Sequence, residues 1–334
     1  MPHLSGRFRV MLLTALAVAA LVFSAFTLVV RTRPVSNIFD LFLAVGSPYT
    51  ALAALSVLAL LALRRRIFLS IVAVLVVTAS LAVQVSWYYL GRPPEIGQHA
   101  AVRVLSSNLF KGRADALPLV GFAQRNADVI TVAELTSEVA TRFSRAGIDK
   151  TFPYSHLMPA PGAGGIGMWS RYPLTALTVP RHRRVTMPAA RLRVPGVRFE
   201  PLLAAVHVMS PVAGDTNTVD DWRLGMAGAK EQLNSFARVA GPAAVIIGGD
   251  YNSTPDLRQF RDLLTNGYRD AVEQTGAGFA PTYPSNTWYP PIIVIDHVLT
   301  RNAAATSIRT VDIPGSDHRA LLATIKLPLD PTTS

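Results

Sequence analysis

Three long apolar runs before residue 91 constrain this chain more than any other feature. Each run is free of charged residues and is long enough to cross a bilayer, for which about 20 residues are needed. The runs are Val10–Val30, Leu41–Leu63 and Ile67–Leu90. A cleavable signal peptide is the alternative for the first run, but two more runs follow it and no small-residue cleavage site lies beyond Val30. The sequence therefore predicts a membrane anchor over residues 1–90 with three transmembrane helices.

The placement of arginine predicts how these helices are oriented, because cytoplasmic flanks carry an excess of basic residues. One side of the predicted bundle carries Arg7, Arg9 and Arg64–Arg66. The other side has fewer arginines, with acidic residues nearby. We therefore expect the amino terminus in the cytoplasm and everything after Leu90 outside it, at the plasma membrane. Trp87, Tyr88 and Tyr89 would then form an aromatic anchor at the outer interface.

The net charge of +11 divides between the predicted anchor and the rest of the chain. Eight arginines against two carboxylates before residue 99 account for +6, which leaves +5 for residues 99–334. A charge of +5 is compatible with nucleic acid, with anionic lipid headgroups or with neither. The chain has no cysteine, which excludes disulfides, thiol nucleophiles and zinc held by cysteine.

The sequence that follows the predicted membrane anchor is typical of one α/β domain. A polar linker with prolines covers residues 91–99, the domain covers 100–328, and a short tail covers 329–334. Strand-like runs alternate with helical patterns, and strands return near the end without long helices, which favours mixed sheets. The predicted helices cover 114–126, 137–146, 221–239 and 255–265.

Polar groups suited to hydrolysis stand where apolar runs end. Asp250 and Asn252 follow the run 243–247, two residues apart and so on one side of an extended segment. Glu134, His207 and Asp296 each end a similar run, and the pair Asp317-His318 follows a turn signal. Carboxylates, amides and imidazoles gathered at strand ends are the pattern of a metal-assisted hydrolytic site.

Seven short motifs along residues 102–327 carry a family resemblance. They are Ser106–Leu109, Asp128–Leu135, Gly165–Pro173, Val206–His207, Gly248–Asn252, Ile295–Val298 and Ser316–Arg319. Together and in this order they resemble the endonuclease/exonuclease/phosphatase superfamily, which includes DNase I-like nucleases, abasic-site endonucleases, inositol polyphosphate 5-phosphatases and bacterial sphingomyelinases. Ala133 departs from the pattern, because many members have Gln or Glu before the catalytic Glu. The resemblance implies a membrane-anchored bacterial member with a four-layer sandwich of two mixed β-sheets flanked by helices.

The resemblance also implies a divalent metal, Mg²⁺ or Mn²⁺, for which hard oxygen ligands are suited. Glu134 is then the expected direct ligand, Asn108 lies beside it, and Asp317 contributes. The expected function is hydrolysis of phosphodiester or phosphomonoester bonds. A catalytically silent, membrane-tethered binding module with the same fold is the alternative.

Catalytic roles follow from the same resemblance. Asp250 would orient or deprotonate the attacking water, and Asn252 would hold that water or the phosphate. His318, oriented by Asp296, would stabilise the developing charge or act as acid or base. His207 would contact the phosphate from the other side. Which histidine is the acid stays open at this point.

Basic residues supply the expected substrate contacts. The candidates for binding an anionic substrate are Arg171, Arg183 and Arg184. The alternative for Arg183 and Arg184 is that they lie on a solvated hairpin without such a role. Nucleic acid and lipid headgroups both remain open as substrates. His297, next to Asp296, is expected to face away from the site because side chains alternate along a strand.

Overall fold

The computed structural model describes residues 6–180, 182, 184–213 and 218–332. These residues form two compact units. The first comprises the chain up to Ser86 together with Asp256–Arg258, and the second comprises Trp87–Pro255 together with residues from Gln259 onward.

The first unit consists of apolar helices. They are α1 (Gly6–Thr32), α2 (Ile38–Val45), α3 (Ser47–Leu63) and α4 (Ile67–Tyr88). By length and composition, two helices in the described chain could cross a membrane, namely α4 and the Arg7–Thr32 portion of α1. The expectation of three continuous spans is therefore corrected, since the middle run is two helices that meet at a 60° bend and count as a span only if taken together.

The bend in the middle run has a local cause. Gly46 ends α2 and begins α3, and Pro48 stands in the first turn of α3. Proline has no N–H to donate, and its ring collides with the carbonyl four residues earlier, so it suits the start of a helix and interrupts a continuing one.

The second unit contains the helices α5 (Ala116–Asn126), α6 (Ser137–Arg145), α7 (Ile148–Thr151), α8 (Thr218–Ala240), α9 (Arg258–Arg261) and α10 (Ala271–Thr275), of which the first residue of α9 is grouped with the first unit. Its strands are β1 (His99–Asn108), β2 (Val129–Ala133), β3 (Tyr154–Met158), β4 (Ile166–Ser170), β5 (Leu174–Leu177), β6 (Val185–Thr186), β7 (Ala189–Leu192), β8 (Leu202–Val208), β9 (Val245–Asp250), β10 (Arg269–Asp270), β11 (Asp296–Arg301), β12 (Ala304–Val311) and β13 (Ala320–Pro328).

The strands form two mixed sheets, as predicted. The first sheet has the order β12-β13-β1-β2-β4-β3, and the second has the order β10-β11-β9-β8-β7-β5, with β6 paired to β8. In each sheet the central pair is parallel, β1 with β2 and β8 with β9. The remaining pairs are antiparallel.

Alternation of side chains along the strands builds the layers. On β1, Val104 faces a core shared with Leu203 and Ile246 of the other sheet, while Leu105 faces a second core that contains Leu119 of α5. Two apolar faces on one strand explain why the central strands are apolar almost throughout.

The helix predictions have mixed outcomes. Those for 114–126, 137–146 and 221–239 are confirmed by α5, α6 and α8. The helix predicted over 255–265 is wrong, because only the single turn α9 forms there. Leu257, Phe260 and Leu263 have the spacing of a helix, and all three are buried. Leu263 is buried although the helix has already ended, because the chain continues there in hydrogen-bonded turns.

The aromatic anchor expected at residues 87–89 is wrong for its first two members. Trp87 packs edge-on against Phe260, with ring centroids 6.4 Å apart. Tyr88 is 2 % exposed and meets Phe279 edge-on at 5.2 Å. Both residues thus belong to the packing of the second unit, and Tyr89 is the exposed member of the three.

Candidate active site

Strand direction brings the polar groups to one edge of the two sheets. The parallel strands β1 and β2 end together, with Asn108 opposite Ala133, so that Glu134 follows at the same edge. The parallel strands β8 and β9 end in the same way, with His207 opposite Asp250. Carboxyl ends of parallel strands are where ligands of α/β proteins bind.

Two antiparallel strands begin at this edge. Asp296 is the first residue of β11 and lies directly opposite Asp250. His318 comes shortly before β13 begins at Ala320. Asp296 therefore starts a strand and does not end one as its preceding apolar run suggested.

Asp250 is the centre of the group. Its side chain is buried, and Oδ1 accepts a hydrogen bond from the backbone N–H of Asn252 at 2.7 Å. Oδ2 accepts from the side-chain amides of Asn108 at 3.0 Å and Asn252 at 3.2 Å. The Nε2 atoms of His207 and His318 each lie 3.9 Å from Oδ2, too far for a direct hydrogen bond but a distance that one bridging oxygen can span.

Glu134 faces Asp250 from the other sheet. Its Oε1 accepts from the Asn108 amide at 3.3 Å and lies 3.7 Å from Nε2 of His207, and its Oε2 accepts from the backbone N–H of Lys111 at 2.6 Å. The Asn108 oxygen accepts from the N–H of Phe110 at 2.8 Å. Asn108 thus turns its amide nitrogen toward both carboxylates, an arrangement that orients them and differs from the ligand position expected for it.

Two of these residues have unusual backbone conformations. Glu134 has φ of 60° and Asn252 has φ of 46°, in the left-handed region. Such conformations are unfavourable for Glu and persist only where the surroundings enforce them, as functional sites often do. Backbone bonds enforce this one at Glu134, because the next residue, Leu135, donates to Gly165 and accepts from Ala160.

His318 forms a buried pair with Asp296. Nδ1 of His318 donates to Oδ2 of Asp296 at 2.8 Å, and the ring of Tyr283 lies against the imidazole with centroids 4.9 Å apart. Burial alone would lower the pKa of His318, but the carboxylates of Asp296 and Asp250 and the hydrogen bond to Asp296 raise it to about 10. These contacts favour the protonated ring, in which Nε2 can donate a hydrogen bond or a proton.

His207 is held differently. Its Nδ1 lies 2.9 Å from the carbonyl oxygen of Ala163, and since a carbonyl only accepts, Nδ1 must carry the hydrogen. In the neutral ring, Nε2 is then an acceptor directed toward the two carboxylates. The two histidines thus differ in the chemistry they offer at Nε2.

A second buried Asp–His pair lies next to the first but outside the cluster. Nδ1 of His297 donates to Asp270 at 2.7 Å, and Nε2 lies 2.9 Å from the carbonyl of Ser253. Its ring also packs against Phe260. His297 faces away from Asp296, as alternation along β11 predicts, and it supports the backbone that follows Asn252.

The carboxylates crowd one another in the way that favours a cation. Burial, reinforced by the charge of Asp296, raises the pKa of Asp250 from 3.8 to about 6, although His318 and His207 lower it. Burial also raises the pKa of Asp317, with His318 opposing the increase and Glu134 adding to it. Oδ1 of Asp317 is buried and has no hydrogen-bond partner among the described residues. An unsatisfied oxygen among carboxylates fits a hard divalent metal.

Two sets of residues at the site could hold that metal. Ligand atoms of Asp250, Asp296 and His318 lie within 4.8 Å of one another, which is close enough by distance alone. In this set, Oδ2 of Asp296 already accepts the hydrogen bond from Nδ1 of His318 at 2.8 Å. The second set is Glu134 with Asp317, whose Oδ1 has no hydrogen-bond partner among the described residues.

The structure does not bring Arg171, one of the predicted substrate-binding arginines, to the site. Arg171 is directed to the opposite ends of the strands, where it donates to the carbonyls of Ala127 and Gln124 and lies 3.7 Å from Asp128. Its assignment as a substrate contact is therefore corrected. Arg184 pairs with Asp221 at 2.9 Å. Arg183 lies outside the described residues.

Two supporting residues were not singled out from the sequence. Ser316 donates to the carbonyl of Asn108 at 2.8 Å and accepts from the N–H of His318 at 3.0 Å. It thereby connects the end of β1 to the loop that carries His318. Its place in the Ser-Asp-His motif could have suggested this. Tyr283, which packs on His318, has no comparable signal, because the loop that carries it has no motif.

Comparison with known proteins agrees with this architecture. The model of the Endonuclease/Exonuclease/phosphatase family matches residues 105–318. No curated protein sequence matches the chain.

Solved structures share the fold at low identity. An endonuclease/exonuclease/phosphatase from Beutenbergia cavernae DSM 12333 is 17 % identical with a TM-score of 0.52, covering 68 % of this chain and 72 % of that one. A D. rerio TDP2 humanized by 14 mutations is 16 % identical at 0.54, covering 67 % and 98 %. The 3′ phosphatase NExo from Neisseria, bound to a product DNA hairpin, is 15 % identical at 0.52, covering 66 % and 98 %.

Proposed function

The chain belongs to the endonuclease/exonuclease/phosphatase family, and on that basis we propose that it is a membrane-anchored phosphoesterase that works with Mg²⁺ or Mn²⁺. The observation that carries the proposal is the position of Asp250, buried between two imidazole Nε2 atoms at 3.9 Å and fixed by three hydrogen bonds. A carboxylate held in this way can accept a proton from water while Nε2 of His318, on one side of it, donates to a phosphate.

The side chains divide the work of hydrolysis. Glu134 and Asp317 would hold a divalent cation, which supplies neutralisation of the phosphate charge. Asp250 accepts the proton of the attacking water, and Asn252 orients that water through its amide. His318 donates from Nε2 to an oxygen of the phosphate or of the leaving group. Asp296 keeps His318 protonated and correctly turned.

We expect the full chain, purified in detergent, to hydrolyse bis(p-nitrophenyl) phosphate or DNA with Mg²⁺ or Mn²⁺. Chelation should abolish turnover and added metal should restore it, because the crowded carboxylates need a cation to receive a phosphate. The measurement is the initial rate with and without chelator, with Asp250→Asn as the inactive control. Folded protein that is inert across nuclease, lipid and phosphomonoester substrates would argue for the silent binding module instead.

Salt dependence separates the two substrate classes within this proposal. Contacts to nucleic-acid phosphates release counterions, so DNA turnover by a nuclease should fall as salt rises. Equal turnover of plasmid DNA at low and high salt would count against a nuclease and favour a small or headgroup phosphodiester.

Anchoring in a membrane is supported by α4 and by the Arg7–Thr32 portion of α1, which are long and apolar enough to span one, and the bent pair α2 and α3 counts as a third span when taken together. With three spans in the plasma membrane and the amino terminus in the cytoplasm, the catalytic domain would lie outside. An alkaline phosphatase reporter fused after His99 should therefore be active, and one fused at Arg65 should be silent. The reverse pattern, measured with both fusions expressed at equal levels, would place the catalytic domain in the cytoplasm.

A further inference from the structure

A cavity of about 550 Å³ opens beside His207. It lies at the edge strands of both sheets, β3 and β5, and the segment around β6 forms another wall. Gly164, which follows the Ala163 carbonyl bound by His207, lines this cavity. So does Thr186, the strand partner of His207. Two neighbours of His207 thus contribute to the lining of the cavity.

Gln232 of α8 is the unusual residue of the lining. It is 1 % exposed, and neither the oxygen nor the nitrogen of its amide has a hydrogen-bond partner among the described residues. Leaving such a group unpaired in the interior is unfavourable, so each case in a native protein needs a reason.

Gln274 shows what an ordinary buried glutamine does in the same domain. It is fully buried, its nitrogen donates to the hydroxyl of Thr300 at 2.9 Å and to the carbonyl of Arg269 at 3.3 Å, and its oxygen accepts from the N–H of Ala305 at 2.9 Å. In contrast to Gln274, the side chain of Gln232 makes no hydrogen bond with the described residues that stabilises the fold, so its amide is available to bind a ligand.

Close packing fixes α8, and with it Gln232, against the wall of the cavity. A Cβ on Gly225 would lie 2.6 Å from the carbonyl oxygen of Arg184, and one on Gly228 would lie 2.8 Å from Cβ of His182. Glycine is therefore required at both positions for α8 to lie this close to the segment that carries His182 and Arg184.

The rest of the lining indicates the class of ligand. None of the described lining residues is Asp, Glu, Lys or Arg, and His182, one of its two histidines, lies 3.4 Å from Glu231. A second phosphate would lack a fixed positive charge there, and an acyl chain would leave the amide unpaired. Met158, Leu177 and Met187 give the cavity apolar walls, and the two methionines are polarisable and can adapt to an aromatic ring. A neutral planar ring with a donor beside an acceptor satisfies both the walls and the amide.

We propose that this cavity binds the nucleobase of a nucleotide ester and that Gln232 reads the hydrogen-bonding edge of the base. A glutamine amide offers one donor and one acceptor side by side, which is how this side chain recognises bases elsewhere. The inference rests on the proposed phosphoesterase function, because it places the phosphate of the same molecule at Asp250.

The test compares two esters on the full chain in detergent. The nucleotide ester is p-nitrophenyl thymidine 5′-phosphate, and bis(p-nitrophenyl) phosphate is the ester without a base. Gln232→Leu should lower kcat/KM for the nucleotide ester about tenfold, mainly through KM, and leave the other ester unchanged, because only the nucleotide ester loses a base contact, and tenfold corresponds to about 1.4 kcal/mol. Its melting temperature should not fall. Gln274→Leu, the matched control, should melt lower while keeping the ratio of the two esters.

Other outcomes overturn the proposal in distinguishable ways. An unchanged ester ratio in Gln232→Leu, or a loss of stability as large as in Gln274→Leu, would make Gln232 structural. If neither ester is hydrolysed, the proposed function fails, and the cavity is then judged by binding alone. Thymidine and adenosine should saturate the wild type but not Gln232→Leu in calorimetry, and equal or absent binding would rule the cavity out as a base site.

Discussion

Replacing His318 by alanine is expected to remove most of the activity, about 10²–10⁴-fold in kcat, because in the proposed mechanism His318 is the proton donor at the phosphate. Asp296→Asn should keep the fold and also lose much of the rate, since an amide cannot stabilise the cation that the 2.8 Å hydrogen bond to His318 maintains. The double variant should be little worse than His318→Ala alone, because the two residues act as a unit. Steady-state kinetics of the four proteins gives the answer, and multiplicative losses would separate the two residues.

The neighbouring pair Asp270–His297 supplies the control for this cycle. It has the same chemistry, a buried hydrogen bond of 2.7 Å, and belongs to the same part of the second sheet. His297→Ala should lower the melting temperature, because Oδ2 of the buried Asp270 loses its partner while only Oδ1 keeps its hydrogen bonds to the backbone of α10. The folded fraction should keep a kcat within a few-fold of the wild type. A loss equal to that of His318→Ala would mean that the kinetic effect comes from disturbing the strand and not from chemistry.

Asp250→Asn is expected to lose activity while gaining stability in the absence of metal. The activity loss should be about 10²–10⁴-fold, because an amide cannot accept the proton of water. The stability gain follows from the sign of the pKa change. Asp250 binds its proton more tightly in the folded state, with a pKa of about 6 against 3.8. The ionised carboxylate therefore opposes folding fully above about pH 6, and this effect disappears below 3.8.

Denaturation in the presence of chelator tests this prediction. At pH 7 the variant should be more stable than the wild type by on the order of 1–3 kcal/mol, and the difference should shrink as the pH is lowered from about 6 to about 4. Added Mg²⁺ or Mn²⁺ should stabilise the wild type more than the variant, because neutralising the cluster removes the repulsion. An asparagine variant that is less stable at pH 7 without metal would show that Asp250 is a structural carboxylate.

Apolar patterns and strand ends allowed much of the site to be predicted. Runs that end in Glu134, His207 and Asp250 become β2, β8 and β9, and parallel pairing brings their ends together. Asp296 was found for a partly wrong reason, since the run before it is mostly irregular and the strand begins at Asp296. Its closeness to Asp250 depends on register in the second sheet, which no local pattern encodes.

Where the predictions fail, tertiary contacts outweigh local signals. Arg171 belongs to a motif, but its side chain is attracted by carbonyls and by Asp128 at the far end of the strand. Leu257, Phe260 and Leu263 have helical spacing, yet only Phe260 lies in the single turn α9, because the burial of the other two is satisfied without a helix. The orientation of the Asn108 side-chain amide is fixed by the N–H of Phe110, which donates to its oxygen. Phe110 itself has a left-handed backbone conformation, which no local sequence pattern indicates.

The packing of Trp87 and Tyr88 has a consequence for proteolytic release. A protease that cut within residues 91–98 would free a fragment without these two rings, leaving Phe260 and Phe279 with exposed faces. Aromatic side chains each bury about 150–250 Å², so the shed fragment would have a weakened core. A secreted form of this enzyme would have to begin before Trp87, within the last turns of α4, and would carry an apolar helical end with it.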